Sequence, residues 1–570
     1  MTRVWSQHDL PSFASNPSSS FDKVKQIVND ANLTDEQIVK LTAQLEYHAG
    51  VDGSKLLQHT QRICDNYSPP QEGWKFPTKR FGKTEINMPV VTMGLMRIQQ
   101  TWCPDNLPIA ITRKGVEAAC QENLINCVRK CLKLGGNHFE TARAYGSSEF
   151  QVVDALCYLM EKGEVKREDF IIQTKIPPKA TNAEFEKAFN LSYEHMKRLK
   201  YIDLFSMHGV SKASEIERCK MHVELTDKWK AEGKIKHVGF STHGTPDVIR
   251  KIIETNIFEY VNIHCTYFGS YHASGLNDNN GGYGNYANVK LAKEKDMGVL
   301  IISPFDKGGK LYRPTPAVVD SVGEVLSPIE FQSLYCWAEI DADTITIGIA
   351  RESDFDEAVS AARKFLEKPM LEEMKAAKGR LDARWQDVLG SGASTVYNGI
   401  PSHHDKICQG VAFGHCVWLN NLVKVFGMTE FASDRYGNIK SAAKKWDEKK
   451  DFQFNFDKWN PFNTGTSLRE GLSFDTKWPN QEEHLKIAKE LDEKFGGNGG
   501  STVQQHKPAY SLSTWEEFPG EDVSIPKVVM QNLSRKFLLF RCLKSFGVNG
   551  GPKKHFRDYA EFIRSLYRSN

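Results

Sequence analysis

From residue 90 onward the sequence alternates short apolar runs with amphipathic helical stretches, and few folds accept that pattern. The apolar runs centre on 90–94, 137–140, 170–174, 202–207, 235–240, 260–265, 299–303 and 344–349. Helical periodicity fills 116–134, 149–160, 183–199, 215–230, 246–254, 287–295, 329–337 and 354–366. The first helical run is the clearest, with Val116, Cys120, Leu124, Cys127, Cys131 and Leu134 on one stripe. Strands that each hand over to a helix, in a span of nearly three hundred residues, predict an α/β chain folded as a closed (β/α)8 TIM barrel. An open doubly wound sheet would carry Gly-x-Gly-x-x-Gly after its first strand, and none is present. Two short runs about Gly82, over 79–88, predict a hairpin ahead of the barrel.

Polar residues mark the C-terminal ends of successive strands, the face where such a barrel keeps its chemistry. In His138-Phe139-Glu140-Thr141-Ala142-Arg143-Ala144-Tyr145-Gly146-Ser147-Ser148-Glu149 a carboxylate and a phenol lie on one strand-to-helix loop. Ser148 and Gln151 have the spacing of a capping box for the helix that follows. The next two strands end at Lys175 and His208. A phenol beside an ammonium is a proton donor whose acidity can be tuned, and an imidazole at the same mouth can hold a carbonyl oxygen. Any one of these residues alone would be an ordinary rim residue; four in order form a set.

The flanks read differently. Residues 21–67 carry helical periodicity and end in a proline-rich break, so 1–75 is expected to be an N-terminal helical extension, with the barrel over 76–367. Helical patterns at 371–389, 411–426, 481–494 and 527–546, separated by aromatic-rich loops, predict an α-rich C-terminal domain over 368–570. Within the barrel, the Gly-rich polar insertion 269–286 has the composition of a lid, and a second insertion spans 305–327. A net charge of +3, with 40% hydrophobic and 25% charged residues, calls for neither nucleic acid nor a membrane surface. No apolar run is long enough to span a bilayer. Twelve cysteines without a Cys-x-x-Cys read as reduced thiols, hence a cytoplasmic protein. The Ser-rich first twenty residues also admit a transit peptide.

The strand-end quartet resembles that of the aldo-keto reductases. Their Asp-Thr-Ala-x-x-Tyr-Gly-x-Ser-Glu corresponds to Glu140 through Glu149, their Thr-Lys to Thr174-Lys175, and their strand-four His to His208. The segment Val299 to Leu311, with Met428-Thr429-Glu430-Phe431 and Arg435-Tyr436, is similar to a bacterial branch with a helical C-terminal extension, though its iron–sulfur cysteines are missing. The resemblance implies Tyr145 as proton donor, Lys175 to acidify it, Glu140 to hold Lys175, and His208 to orient the substrate carbonyl. It also implies a nicotinamide cofactor. Ser241, Thr242 and Asn262 would hold the carboxamide; Ser303, Lys307, Gly308 and Leu311 the pyrophosphate; and Arg351 the adenosine end. A forked contact from Arg351 to a 2′-phosphate would make the cofactor NADPH; a plain surface arginine is the competing reading.

Two positions depart from the pattern: Glu140 is one methylene longer than the family's Asp, and Asn262 one shorter than its Gln. The expected function is therefore NADPH-dependent reduction of an aldehyde or ketone to an alcohol. The alternative is a weak or inactive NADP(H)-binding barrel serving as a redox sensor or assembly subunit. Outside the quartet, His403, His404, Cys408, His415 and Cys416 crowd together but match no standard zinc spacing, so no metal is expected. Arg97 and Arg143 lie near the barrel mouth, either for a substrate carboxylate or in structural ion pairs, the second reading being preferred.

Overall fold

In a computed structural model the described residues are 70–98, 116–269, 285–311, 314–349, 352–390, 399–457 and 465–496. The expected N-terminal helices, the 527–546 helix, most of the 269–286 insertion and Arg351 lie outside them. Strand β1 (Thr78–Arg80) pairs antiparallel with β2 (Asn87–Pro89), the predicted hairpin. The barrel then runs β3 (Val91–Gly94), α1 (Ala118–Lys133), β4 (His138–Glu140), α2 (Ser148–Glu161), β5 (Ile171–Ile176) and α3 (Asn182–Met196). It continues with β6 (Ile202–Met207), α4 (Ala213–Met221), α5 (Val223–Ala231), β7 (Ile235–Ser241), α6 (Pro246–Glu254), β8 (Tyr260–Ile263), α7 (Asn285–Glu294) and β9 (Gly298–Ile302). After α8 (Pro316–Val322), α9 (Pro328–Leu334) runs into a π-helical turn (Tyr335–Glu339), and β10 (Thr344–Gly348) and α10 (Asp356–Phe365) complete the ring. Parallel pairing closes the strands in the order β10, β3, β4, β5, β6, β7, β8, β9. The expected TIM barrel and all eight of its strands are present.

The hairpin closes the N-terminal end of the barrel. Phe81, fully buried, packs with Met88, Ile171, Leu204, Tyr260 and Leu300. Its ring lies so close to Gly298 that a Cβ there would stand 2.7 Å from it. The sequence therefore needs glycine at the start of β9. Along α1 the predicted stripe is the buried face: Leu124, Cys127 and Cys131 are inaccessible to solvent.

Where prediction and structure differ, side chains explain the difference. The single helix expected over 215–230 is broken into α4 and α5 at His222. Its imidazole stacks on Phe185, with ring centroids 4.0 Å apart, and bonds Asn182 Oδ1 at 2.7 Å. The capping box expected from Ser148 and Gln151 is displaced by one residue. Ser148 Oγ instead donates to the Leu95 carbonyl at 2.9 Å, and Ser147 Oγ donates to Gln151 Oε1 at 2.6 Å.

The chain divides into two compact units. Of one, residues 314–327 are described; they hold α8, which starts with Pro316 and carries a Ser321 Oγ bond to the Ala317 carbonyl at 2.7 Å. The other holds the barrel together with the helices that follow it: α11 (Lys368–Leu389), α12 (Phe413–Phe426), α13 (Thr429–Lys445), α14 (Phe452–Asp457) and α15 (Gln481–Phe495). Helix α13 was not expected, because Ser433, Asp434, Gly437 and Asn438 dilute its pattern. Its buried residues Phe431, Arg435 and Ile439 nonetheless keep i, i+4 spacing. These helices seat on the C-terminal face of the barrel. Trp418 Nε1 donates to the Phe268 carbonyl at 2.8 Å, Tyr267 Oη to Asp382 at 2.7 Å, and Phe268 meets Phe426 edge-on at 5.3 Å.

Candidate active site

Parallel registration assembles the site. Glu140 lies opposite Gln173, and Lys175 opposite Ser206. With side chains alternating along a strand, Gln173 and Lys175 share the inward face of β5, one layer apart. The loop after β4 then follows β5 upward: the Thr141 amide bonds the Gln173 carbonyl at 2.9 Å, and the Arg143 amide the Lys175 carbonyl at 3.0 Å. A turn closed by the Tyr145 amide on the Ala142 carbonyl at 3.0 Å carries the phenol back over the mouth. The four expected residues consequently come together.

Lys175 Nζ donates to Glu140 Oε1 and, at 2.8 Å, to the Thr141 carbonyl. Both side chains are buried. An ammonium out of water is costly, and the carboxylate offsets that cost. Burial pushes the Lys175 amine down from its ordinary value, and Glu140 opposes the shift. The extra methylene of Glu140 is thus absorbed within the ion pair. Lys175 Nζ lies 4.8 Å from the centroid of the Tyr145 ring, whose edge-on neighbour is His208, with centroids 5.6 Å apart. Burial, reinforced by the Glu140 carboxylate, drives the phenol well above its ordinary value. The expected acidification of Tyr145 by Lys175 is therefore absent here, since the ammonium stands over the ring and is turned to Glu140. The phenol is protonated at neutral pH, which is the form that can give a proton. Burial, with Lys175 and Lys307 nearby, holds His208 neutral. Its buried Nδ1 has no hydrogen-bond partner among the described residues.

The carboxamide candidates are brought together by the pairing of Ser241 on β7 with Asn262 on β8. The Thr242 amide bonds the Asn262 carbonyl at 3.1 Å. Ser241 Oγ already accepts from the Gly209 amide at 2.9 Å, and Thr242 Oγ1 from Gly244 at 3.0 Å. Asn262 is fully buried, and its Nδ2 has no partner among the described residues. A residue that sequence reasoning missed fixes this amide: Gln173 Nε2 donates to Asn262 Oδ1 at 3.2 Å and to Ser206 Oγ at 2.8 Å. Its signal was a lone amide within the apolar strand Ile171-Ile172-Gln173.

The other four described cofactor candidates share the loop after β9. The Lys307 amide bonds the Ser303 carbonyl at 3.2 Å and the Leu311 amide the Phe305 carbonyl at 2.8 Å. Ser303 has φ +50°, and Gly308 has no room for a Cβ against the Pro304 carbonyl. Leu311 is buried, and Lys307 Nζ stands 3.5 Å from His264 Nε2. This tight, glycine-dependent loop together with the orphaned Asn262 amide fits a dinucleotide, one end needing a carbonyl partner and the other close approach to backbone.

The remaining candidates are accounted for. Arg97 pairs with Asp306 at 2.8 Å, and buried Arg143 with buried Glu149 at 3.5 Å, so both serve in ion pairs. In the cluster after the barrel, Cys408 Sγ faces the Pro401 carbonyl at 3.5 Å, and burial lifts the Cys408 and Cys416 thiols to about 12. Among the described residues no three His, Cys, Asp or Glu are arranged to hold a metal, and no helix is long and apolar enough to cross a membrane.

Comparison with known proteins gives consistent matches. Residues 91–276 match the Aldo/keto reductase family. Methylglyoxal reductase DkgA of Escherichia coli O157:H7 is 29% identical over 152 residues, covering 26% of this chain and 50% of the relative. L-galactose dehydrogenase of Arabidopsis thaliana is 22% identical over 274 residues, covering 42% and 78%. The chain spans about half the length of the methylglyoxal reductase relatives it matches. Among solved structures, an aldo-keto reductase from Bacillus halodurans aligns with 18% identity over 53% of this chain and 96% of its own, at a TM-score of 0.39. One from Klebsiella pneumoniae in complex with NADPH aligns with 16% identity over 53% and 94%, at a TM-score of 0.38.

Proposed function

Because its barrel belongs to the aldo-keto reductase superfamily, we propose that this protein is an NADPH-dependent oxidoreductase that reduces an aldehyde or ketone to an alcohol. The observation that carries the reading is the closed Glu140–Lys175 pair beside Tyr145 and His208. Reduction of a carbonyl places negative charge on its oxygen, and the residues around that oxygen decide whether the charge is tolerated. The nicotinamide, when bound, supplies the hydride. Tyr145 gives its phenolic proton to the carbonyl oxygen. As the proton leaves, the Lys175 ammonium, 4.8 Å from the ring, is the nearby positive charge that stabilises the phenolate. Glu140 keeps that ammonium charged and in place. Neutral His208 donates an N–H bond to the same carbonyl oxygen and fixes its direction.

Asn262, backed by Gln173, holds the carboxamide, and the 303–311 loop holds the pyrophosphate. Three barrel loops and the helices after the barrel surround a small carbonyl substrate. NADPH oxidation by the full chain with a small activated aldehyde tests the reading. We expect saturable, enzyme-dependent loss of absorbance at the nicotinamide band. NADPH binding without turnover of any activated carbonyl would point instead to the non-catalytic, cofactor-sensing alternative.

A further inference from the structure

Helix α13, which follows the barrel, lies against the loop after β9. Lys310 on that loop pairs with Glu430 at 3.1 Å and also with Asp434. A Cβ on Gly309 would stand 3.1 Å from the Met428 terminal methyl. Glu430 and Asp434 are four apart and share one helix face; Phe431 and Arg435 form the next pair around. Arg435 is only 4% exposed, and its guanidinium lies 5.4 Å from the Phe431 ring centroid. On the loop side, Lys307 Nζ stands 3.5 Å from Nε2 of His264, itself 3% exposed. The nearby carboxylates are engaged: Asp306 with Arg97, and Glu430 and Asp434 with Lys310.

A guanidinium, an amine and an imidazole therefore share a region of low water content. Their mutual influence is felt: burial, then Arg435, pushes the Lys307 amine down to about 7, while burial, Lys307 and Arg435 keep His264 uncharged. Like charges drawn together out of water are stable when an oxyanion joins them, and a guanidinium offers the forked geometry that phosphate oxygens match. We propose that Arg435, contributed by the helices after the barrel, joins Lys307 and His264 in one phosphate-binding site whose ligand is the pyrophosphate of the dinucleotide. The proposal rests on the NADPH reading above. It gives α13 a part in cofactor binding: the barrel loop supplies one cation and the post-barrel helix another.

The test measures NADPH affinity by fluorescence quenching on the full chain, with folding checked by circular dichroism. Arg435→Gln should weaken NADPH about ten- to a hundredfold, the scale of a lost charged hydrogen bond, and flatten the dependence of affinity on salt. Arg435→Lys, which keeps the charge and loses the fork, should fall between. Inorganic pyrophosphate should displace NADPH from the parent and do so less well from the glutamine variant. Folded Arg435→Gln with parental NADPH affinity overturns the proposal, as does a variant that loses only affinity for an anionic aldehyde substrate. Should Arg435→Gln not fold, Arg435→Lys decides: weakened NADPH supports the site, and parental affinity overturns it. A parent chain that binds no NADPH at all overturns the cofactor reading itself, a result distinct from either.

Discussion

Lys175 Nζ donates both to Glu140 and, at 2.8 Å, to the Thr141 carbonyl, so a carboxylate at the end of one strand anchors an amine near the end of the next. The two charges are buried together, which makes each the condition for the other. Removing one leaves its partner ionised without compensation, or forces it to become neutral.

Glu140→Gln keeps the length and removes the charge. With Glu140 gone, only burial acts strongly on the Lys175 amine, and its proton affinity drops further. Turnover should fall by about a hundredfold or more, with NADPH affinity little changed and the melting temperature lowered. Parental turnover in this variant would make the carboxylate structural and end the proposed relay at Lys175.

Lys307 gives a pH dependence with a definite sign. Its free amine titrates near 7 under the influence of burial, Arg435, Asp306, Arg97 and Glu140. A bound anion favours the charged form, so binding is strongest where the free amine is already protonated, below about pH 7. Above that value NADPH affinity should weaken by up to about tenfold per pH unit, one proton being taken up on binding. Titrations from pH 7 to 9 check this, with Lys307→Met as the control that should lose the slope. A flat profile in the parent would remove Lys307 from contact with the anion.

Gln173→Leu leaves Ser206 Oγ and Asn262 Oδ1 without their shared donor inside the barrel. The expected cost is about 1–3 kcal/mol of stability. As a positioning residue for Asn262, Gln173 should also matter to the cofactor: the rise in melting temperature on adding NADPH should shrink in the variant. A lower melting point with an undiminished NADPH-induced rise would make Gln173 a core residue only.

Much of the barrel was legible because its strands are buried on both faces and its helices on one, so apolar runs and stripes stand out against turn residues. Lys175 and His208 were legible for a related reason, as lone polar groups closing apolar strands. His222 was not, because a histidine that stacks on Phe185 and breaks a helix looks the same in sequence as one that continues it. Gln173 and Arg435 were missed as functional candidates because their meaning depends on what another element brings to them, Asn262 in one case and the β9 loop in the other. The direction of the Tyr145 shift was equally hidden. Spacing alone does not tell whether an ammonium meets the hydroxyl or the face of a ring.

The most direct test of the account is Tyr145→Phe, which removes the transferable proton and keeps the ring that packs against His208 and Lys175. NADPH oxidation with a good aldehyde and NADPH fluorescence quenching should be measured on the same preparation. The account predicts turnover reduced by about 10²–10⁴ while the quenching curve overlays that of the parent. Turnover equal to the parent would contradict it, because the proton would then come from a group other than Tyr145.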